Sequence, residues 1–591
     1  MKRVEKMVIR SSVTIRRVLP LLVALTFAGC ADEAAPVIRD VNVRQTDNQS
    51  TPLAAIVTLL THEPARIRID ISDGTNGWSL EAEPDYDRSH EIPVFGLRPG
   101  REHSFTVYAI DKSENSSVAG PFILAPIPLP EPFPDIRVTA SNFSAMEPGL
   151  TLLNLMHWYE DRRNVEYGSL VIINQLGEVV WFHDAGFPVL DARQLENGNI
   201  LYMNSKYGML VEVDMLGNTV SRWHSTGLPK DVPEDSIPVE TETFHHEVSV
   251  MPNGNFLTLG AELRDFDNYP SSEQDADAPS EPATVVGDVI LEFTTDGDIV
   301  HSWSFLDILD PHRFGYQSLD PGFWKPVFGE NHTGTLRDWM HANAIIYDDR
   351  DHSAIVSSRT QDAVVKVDLD SGELKWILGV PDGWQEPWSD RLLAPVQFVG
   401  MGRYVDKKDM EWPYHQHAPM ITPRGTLLLY DNGNFRSRPF DVSQRPEDSY
   451  SRAVEYSINE TTMEVSEVWS FGGPGENAIY SSFISDADWL PLTENVLVTH
   501  GGILTAQDGR SADGVGLDVS RSARIMEIKR INTIVPFQTQ SFVPNETVFD
   551  LTIDDKNTTG GWHVYRAERI SSSLHHEGWG STVTLTADEN P

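Results

Sequence analysis

The sequence predicts an all-β protein: an N-terminal β-sandwich followed by a six-bladed β-propeller. Three observations predict it. Residues 36 to about 126 break into seven short alternating stretches separated by turn residues. From about residue 135 an alternating strand recurs six times, each time followed by a turn and a strand with a large aromatic residue. Helical periodicity is almost absent from the 591 residues. A chain of this length needs several cores or one built from repeats.

The first segment, 1–29, carries Lys2, Arg3, Lys6, Arg10, Arg16 and Arg17 against one acid, Glu5. The apolar run Val18 to Gly29 is too short to span a bilayer and fits a signal-peptide core. It ends in Phe27-Ala28-Gly29-Cys30, which resembles a bacterial lipobox. That resemblance implies cleavage before Cys30 and lipidation of its sulfur. Cys30 is the chain's one cysteine, so neither an internal disulfide nor a Cys-based zinc site can form. Ala31, where an Asp would signal retention, points to the outer membrane. The expectation is a periplasmic or cell-surface lipoprotein that meets the membrane only through its lipid anchor.

Residues 30–126 form the expected sandwich, with strands VIRDVNV, LAAIVTLL, ARIRIDIS, WSLEAE, HEIPVFG, HSFTVYAID and SVAGPFIL. Leu97 to His103, followed by Phe105 and Val107-Tyr108-Ala109, resembles the E–F corner of a fibronectin type III domain. His103 stands where that family usually has its corner tyrosine, and is expected to pack or hydrogen-bond there. Prolines 126, 128, 130, 132 and 134 then alternate with other residues. Such a run is extended and semi-rigid, so 127–134 is the linker.

The propeller is expected over 135–591. The recurring strand reads VIIN at 171, VEVD at 211, LEFT at 291, VKVD at 365, VEYS at 454 and MEIK at 526. Five are followed by Trp181, Trp223, Trp303, Trp376 and Trp469, and the sixth by Phe549. Insertions at 226–244, 262–286, 306–337, 380–413 and 433–450 suit one face of a closed propeller better than a solenoid, and that face should carry function.

Charge narrows the partners. Forty-six Lys and Arg against 87 Asp and Glu give a net charge of −41. An acidic excess of this size argues against a nucleic-acid backbone.

The repeat places the histidines. Eight residues before hairpin glycines 254 and 425 stand His246 and His417, at the same point of the same strand in two blades. Blade four opens Asp338-Trp339-Met340-His341-Ala342-Asn343, with His341 in a less regular match. The first strand of every blade lines the channel, so these residues converge near the axis. Arg359 follows closely, and its fork of donors suits a sulfate, phosphate or carboxylate. His415 lies off this register and is expected to matter far less. There is no GxSxG elbow, HExxH or Walker loop. No carboxylate joins the histidines at zinc-ligand spacing, so no metal is expected to be required, with a structural metal ion left open.

The run Asp338–Asp348, Ser357-Ser358-Arg359-Thr360-Gln361, Val364–Val367 and Lys375–Gly379 resembles the bacterial arylsulfate sulfotransferases. So do Gln416-His417-Ala418, Tyr430–Asn434 and Val564–Ile570. The resemblance implies a propeller behind a sandwich, moving a sulfuryl group from a phenolic sulfate donor to an acceptor phenol. It implies no need for 3′-phosphoadenosine-5′-phosphosulfate (PAPS), and leaves a homodimer open. The family's catalytic histidine falls on His417; its supporting residues fall on His246, His341, Asn343 and Arg359, and less regularly on Thr499 and Tyr565. A disulfide that some members carry is missing, since 400–417 has no cysteine.

The residue chemistry fits independently. A neutral imidazole is a good nucleophile for sulfur, so His417 is expected to form a sulfohistidine and split the transfer into two ping-pong steps. Arg359 can hold sulfuryl oxygens. His246 or His341 can move the phenolic proton. Tyr202, Tyr207, Trp339 and Tyr414 offer aromatic surface, although packing explains each of them as well. Two other readings stand beside this one: a His-cluster propeller hydrolase or lactonase, and a non-catalytic surface lipoprotein that binds glycans or protein.

Overall fold

The structure, a computed structural model, describes residues 33–81, 86–158, 165–204, 208–228, 232–329, 335–400, 403–514, 518–530, 545–555, 560–571, 573–575 and 582–584. The signal segment, Cys30 and Tyr207 lie outside the described residues.

The sandwich holds six N-terminal strands where seven were expected. LAAIVTLL and ARIRIDIS form one 18-residue strand, Ala55–Ser72. Its first half pairs with Ile38–Gln45 and Asp87–Val94, and its second half with Gly77–Glu81 and His103–Ile110. Pro64 sits where the partner changes, so its missing N–H takes little from the ladder. Strand alternation runs through it: Ile67, Ile69 and Ile71 are buried in step with Leu59 and Val57. His103 is buried at the corner and accepts the backbone N–H of Arg98 at 3.1 Å. The propeller, expected to run to 591, gives up its last described strands: Ser573–His575 and Thr582–Thr584 return to the sandwich beside Gly77–Glu81. The proline linker is docked, with Ile127 buried and Phe133 against Phe182 and Trp562.

Six antiparallel blades follow. Their innermost strands are Gly561–Ile570 in blade 1, Ala192–Gln194 in blade 2, His245–Val250 in blade 3, Ala342–Asp348 in blade 4, His417–Ile421 in blade 5 and Asp486–Trp489 in blade 6. Each inner strand meets its neighbour around the axis, except that blade 2 reaches the inner strand of blade 3 through Ile200–Asn204, and the last meets the first. Two exchanges close the ring. The C-terminal Gly561–Ile570 adds to Leu150–Trp158 of blade 1, and Asp135–Ser141 adds to Glu546–Asp554 of blade 6.

The repeat's tryptophans have a specific role. On the outer strand of its blade, each donates its indole N–H to the hairpin turn of the next: Trp181 to Met215 O, Trp223 to Thr295 O, Trp303 to Leu369 O, Trp376 to Glu460 Oε1 and Trp469 to Asn545 Oδ1, all at 2.8–3.0 Å. Each such bond contributes about 1 kcal/mol beyond the burial of the ring. Blade 6 has Phe549 instead, and its seam with blade 1 is the one closed by strand exchange.

The insertions do not all share one face. Segments 262–286, 306–337 and 433–450 interlock, through Tyr316 Oη to Asp441 O (2.7 Å), Phe440 N to Glu273 O (2.9 Å) and Leu319 N to Glu273 Oε1 (2.9 Å). The other two extend outer edges: Ile237–Val239 pairs with the outer strand of blade 2, and Ala394–Gly400 with that of blade 5.

Candidate active site

His246, His341 and His417 stand at or just before the starts of three consecutive innermost strands, in blades 3, 4 and 5. Each strand start is bulged: the ladder register shifts between His245 and Val248, Ala342 and Ala344, and His417 and Met420. A bulge sets two residues against one and re-aims side chains. His246 and His341 also have positive φ, 64° and 46°, as do His415 (54°) and Ala418 (52°). This backbone costs a non-glycine residue about 1–2 kcal/mol, and such strain collects at functional sites. The rings of His246 and His341 lie 5.1 Å apart.

The hydrogen-bond network assigns the protons. His417 Nδ1 lies 2.7 Å from Asn432 Oδ1 and 3.1 Å from His415 O. The Asn432 amide is oriented by its own N–H donation to Ser481 O and Ile484 O, so its oxygen faces the ring. Both neighbours of Nδ1 are therefore acceptors; Nδ1 carries the hydrogen and Nε2 keeps its lone pair. Burial and the Arg359 guanidinium hold His417 well below the usual imidazole range, so the ring stays neutral.

A second chain acts on His246. His245 Nε2 donates to Gly260 O at 2.8 Å, which leaves its Nδ1 to accept from His246 Nδ1, 2.8 Å away. His246 thus also presents Nε2 as a lone pair, and burial keeps it well below its ordinary range. His341 differs. Its Nδ1 meets the Asp338 carboxylate at 2.5 Å, and Trp324 donates to the other Asp338 oxygen at 3.0 Å. The carboxylate accepts from His341 Nδ1–H and so fixes a hydrogen on that nitrogen.

Arg359 is buried beside them. Its backbone N–H bonds His341 O, and its guanidinium reaches Gln317 Oε1 at 2.8 Å and Ser482 O at 3.4 Å. Burial lowers its pKa, but a guanidinium remains charged. Asn343 gives one N–H to Gln416 O and keeps another; Thr499 Oγ1 is buried with no protein partner. Tyr565 is buried, its hydroxyl 3.5 Å from Asn343 O and its ring 6.4 Å from His246.

An apolar cradle adjoins the imidazoles. Met156, Leu190, Ile484 and Tyr565 form a small cluster, with half-buried Phe323 and Phe483 packed on it. Phe323 lies 4.7 Å from His246 and 5.0 Å from His341, ring to ring. Of the aromatics read from sequence, Trp339 is wholly buried with its N–H on Arg313 O, and Tyr202 packs near His183.

A second cluster of buried charge gathers mainly on the other blades. Asp191, Arg193, Glu247, Asp486, Asp488, Arg566 and Glu568 come from the innermost strands of four blades or the turns beside them. Arg566 pairs with Glu247 and with Asp191, and Arg193 pairs with both acids at 3.2 and 2.9 Å.

The structure thus brings together the three histidines, Arg359 and Asn343 that the sequence singled out. The sequence reading missed His245, Asp338 and Asn432 as partners, although all three lie in or beside motifs it quoted. Gln317, Phe323 and Phe483 come from irregular segments with no register to mark them.

Fold and site together define a six-bladed propeller whose axis carries a cluster of three histidines and a buried arginine. The arylsulfotransferase (ASST) profile matches residues 135–557, and the arylsulfotransferase Ig-like domain profile matches 41–119. The chain belongs to the arylsulfotransferase family. It is 29% identical over 353 residues to a protein named arylsulfate sulfotransferase AssT from Escherichia coli O6:H1, covering 55% of each chain. It is 29% identical over 256 residues to another of that name from Lelliottia amnigena, covering 39% of this chain and 42% of that one. The chain thus matches about half the length of these curated relatives. A solved streptogramin B lyase aligns over 73% of this chain and 98% of its own at 11% identity, with a TM-score of 0.30, too loose to bear on the site.

Proposed function

We propose that this protein is an arylsulfate sulfotransferase that works by ping-pong through a sulfohistidine on His417. The observation that carries the reading is the His417 Nε2 lone pair, held by the Asn432 contact on Nδ1 beside a buried guanidinium. In the first step Nε2 attacks sulfur, the S–Nε2 bond forms and the S–O(aryl) bond breaks. His341 gives its proton to the departing phenolate. In the second step the acceptor phenol returns a proton to His341, its oxygen attacks sulfur, and the S–Nε2 bond breaks. Arg359 holds the sulfuryl oxygens, and Asn343 and Thr499 have donors to spare for them. The cradle with Phe323 and Phe483 takes the aromatic ring, with Tyr565 beside it. Phenolic sulfates are the donors and phenols the acceptors; neither PAPS nor a metal is needed.

A chromogenic aryl sulfate, assayed with and without acceptor phenol, tests this. Donor alone should add one sulfuryl mass to the enzyme, and acceptor should remove it. Turnover that needs only water would support a hydrolase instead, and no turnover of any ester would support a binding protein. We place the protein outside the cytoplasm, anchored in the outer membrane through Cys30. Wild type should partition into detergent and Cys30→Ser should not; a soluble mature chain lacking Cys30 would refute the anchor.

A further inference from the structure

We propose that Asp362 and His415 are positioning residues that fix the nucleophile's proton, an inference resting on the reading of His417 as nucleophile. Asp362 ends the turn that carries Arg359: its backbone N–H bonds Arg359 O at 3.2 Å. Its Oδ1 accepts twice from His415, from the backbone N–H at 3.1 Å and from Nδ1 at 2.9 Å. Both residues are buried and both have positive φ, 51° and 54°. In that conformation His415 sets its carbonyl on His417 Nδ1 at 3.1 Å, the second acceptor beside Asn432.

The side chain of His415 explains itself only through this role. Its Nε2 has no hydrogen-bond partner, so its polar tie to the protein runs through Asp362. Arg438 Nη1 stands 3.7 Å from the other Asp362 oxygen and balances its charge. One carboxylate therefore joins the turn bearing the sulfuryl-binding guanidinium to the strand start bearing the nucleophile. The spacing between Arg359 and His417, and the tautomer of His417, are set together.

The role is one of backbone conformation, so replacements at 415 should sort by tolerance of positive φ. His415→Gly and His415→Asn adopt it readily and should keep kcat within roughly threefold. His415→Val is β-branched and should lose about a hundredfold in kcat, with donor KM unchanged. Long-range proton–nitrogen NMR on histidine-labelled protein should show the Nδ1–H form of His417 in wild type and mixed tautomers in His415→Val. Should the valine variant not fold, Asp362→Asn should show the same mixing with about a tenfold loss in kcat. Equal losses from Gly, Asn and Val would overturn the proposal alone, whereas an Nε2–H form in wild type would overturn it together with the reading of His417 as nucleophile. A donor-dependent mass gain that survives in His417→Asn would overturn the premise and the proposal with it, so the mass gain separates the two cases.

Discussion

The two buried clusters along the channel, the histidines on blades 3 to 5 and the acids on blades 1, 2, 3 and 6, hold their charges in opposite ways. At the strand starts, burial keeps imidazoles neutral: His245 is pushed down to about 3 and His415 to about 4. On blades 6 and 1, burial pushes carboxyls toward the protonated form: Asp488 and Glu568 are pushed up to about 7, and Asp486 lies well above its ordinary range. The histidine end leaves the Thr499 hydroxyl without a protein partner and the Asn343 amide with an N–H to spare. In the carboxylate end Arg566 and Arg193 are spent on Glu247 and Asp191. On the proposed function the first binds and reacts, while the second holds four blades together at the axis.

The largest effect that would test this division is at the nucleophile. His417→Asn keeps volume and some hydrogen bonding but removes the attacking nitrogen. Turnover should fall by ~10⁴. The melting temperature should hardly move, because the lost groups serve the ligand more than the fold. A stable variant with near-normal turnover would break the assignment of this end to chemistry.

The converse test is Arg566→Met. Removing the guanidinium leaves Glu247 and Asp191 buried with less compensation, which costs about 3–5 kcal/mol. Calorimetry should show a drop in melting temperature far beyond that of His417→Asn. If Arg566→Met melts like wild type while activity vanishes, the carboxylate end belongs to the catalytic machinery and the contrast fails.

How far sequence alone reached follows the same line. The propeller was legible because each blade repeats a strand and a tryptophan, and that tryptophan bonds the next blade's turn. His246 and His417 were legible because a hairpin glycine fixed their register. The continuous strand through Pro64 was not, since a proline normally reads as a break and only the change of partner makes it harmless. The proton assignments were not either. They depend on which acceptor faces which ring nitrogen, as with Gly260 O on His245, and on left-handed histidines that no propensity favours. The carboxylate network escaped because its members alternate with ordinary core residues on strands from blades far apart in sequence.

A smaller effect separates the two ends by pH. Imidazoles held below their ordinary range mean that the folded protein binds fewer protons than the unfolded chain. Their contribution is complete above about pH 6.5 and is lost as pH falls through the folded values near 3 to 4. Raised carboxyls act in reverse: their contribution is complete below about pH 4 and is lost as pH rises toward 7. Asp488→Asn deletes one carboxyl without deleting volume. Its melting temperature relative to wild type should therefore rise between pH 5 and 8, by an amount on the order of 1 kcal/mol after solvent screening. A difference that is flat or falls with pH would mean Asp488 is ionised in the folded protein, and the carboxylate end would lose its protonated character.

The smallest expected effect is none at all, and it sharpens what the histidine end is for. Three imidazoles near one axis invite a zinc reading, since His246 and His417 both present Nε2 lone pairs. The charges argue otherwise. Arg359 lies close enough to depress His417, and a guanidinium that disfavours a proton on that ring disfavours a divalent cation there more strongly. An anionic sulfuryl group meets the same surroundings with attraction from Arg359. Dialysis against a strong chelator should therefore leave turnover of an aryl sulfate unchanged. Loss of activity on chelation, restored by zinc, would turn the lone pairs of His246 and His417 from sulfur-directed groups into ligands and reverse the sign of the charge this end is built to hold.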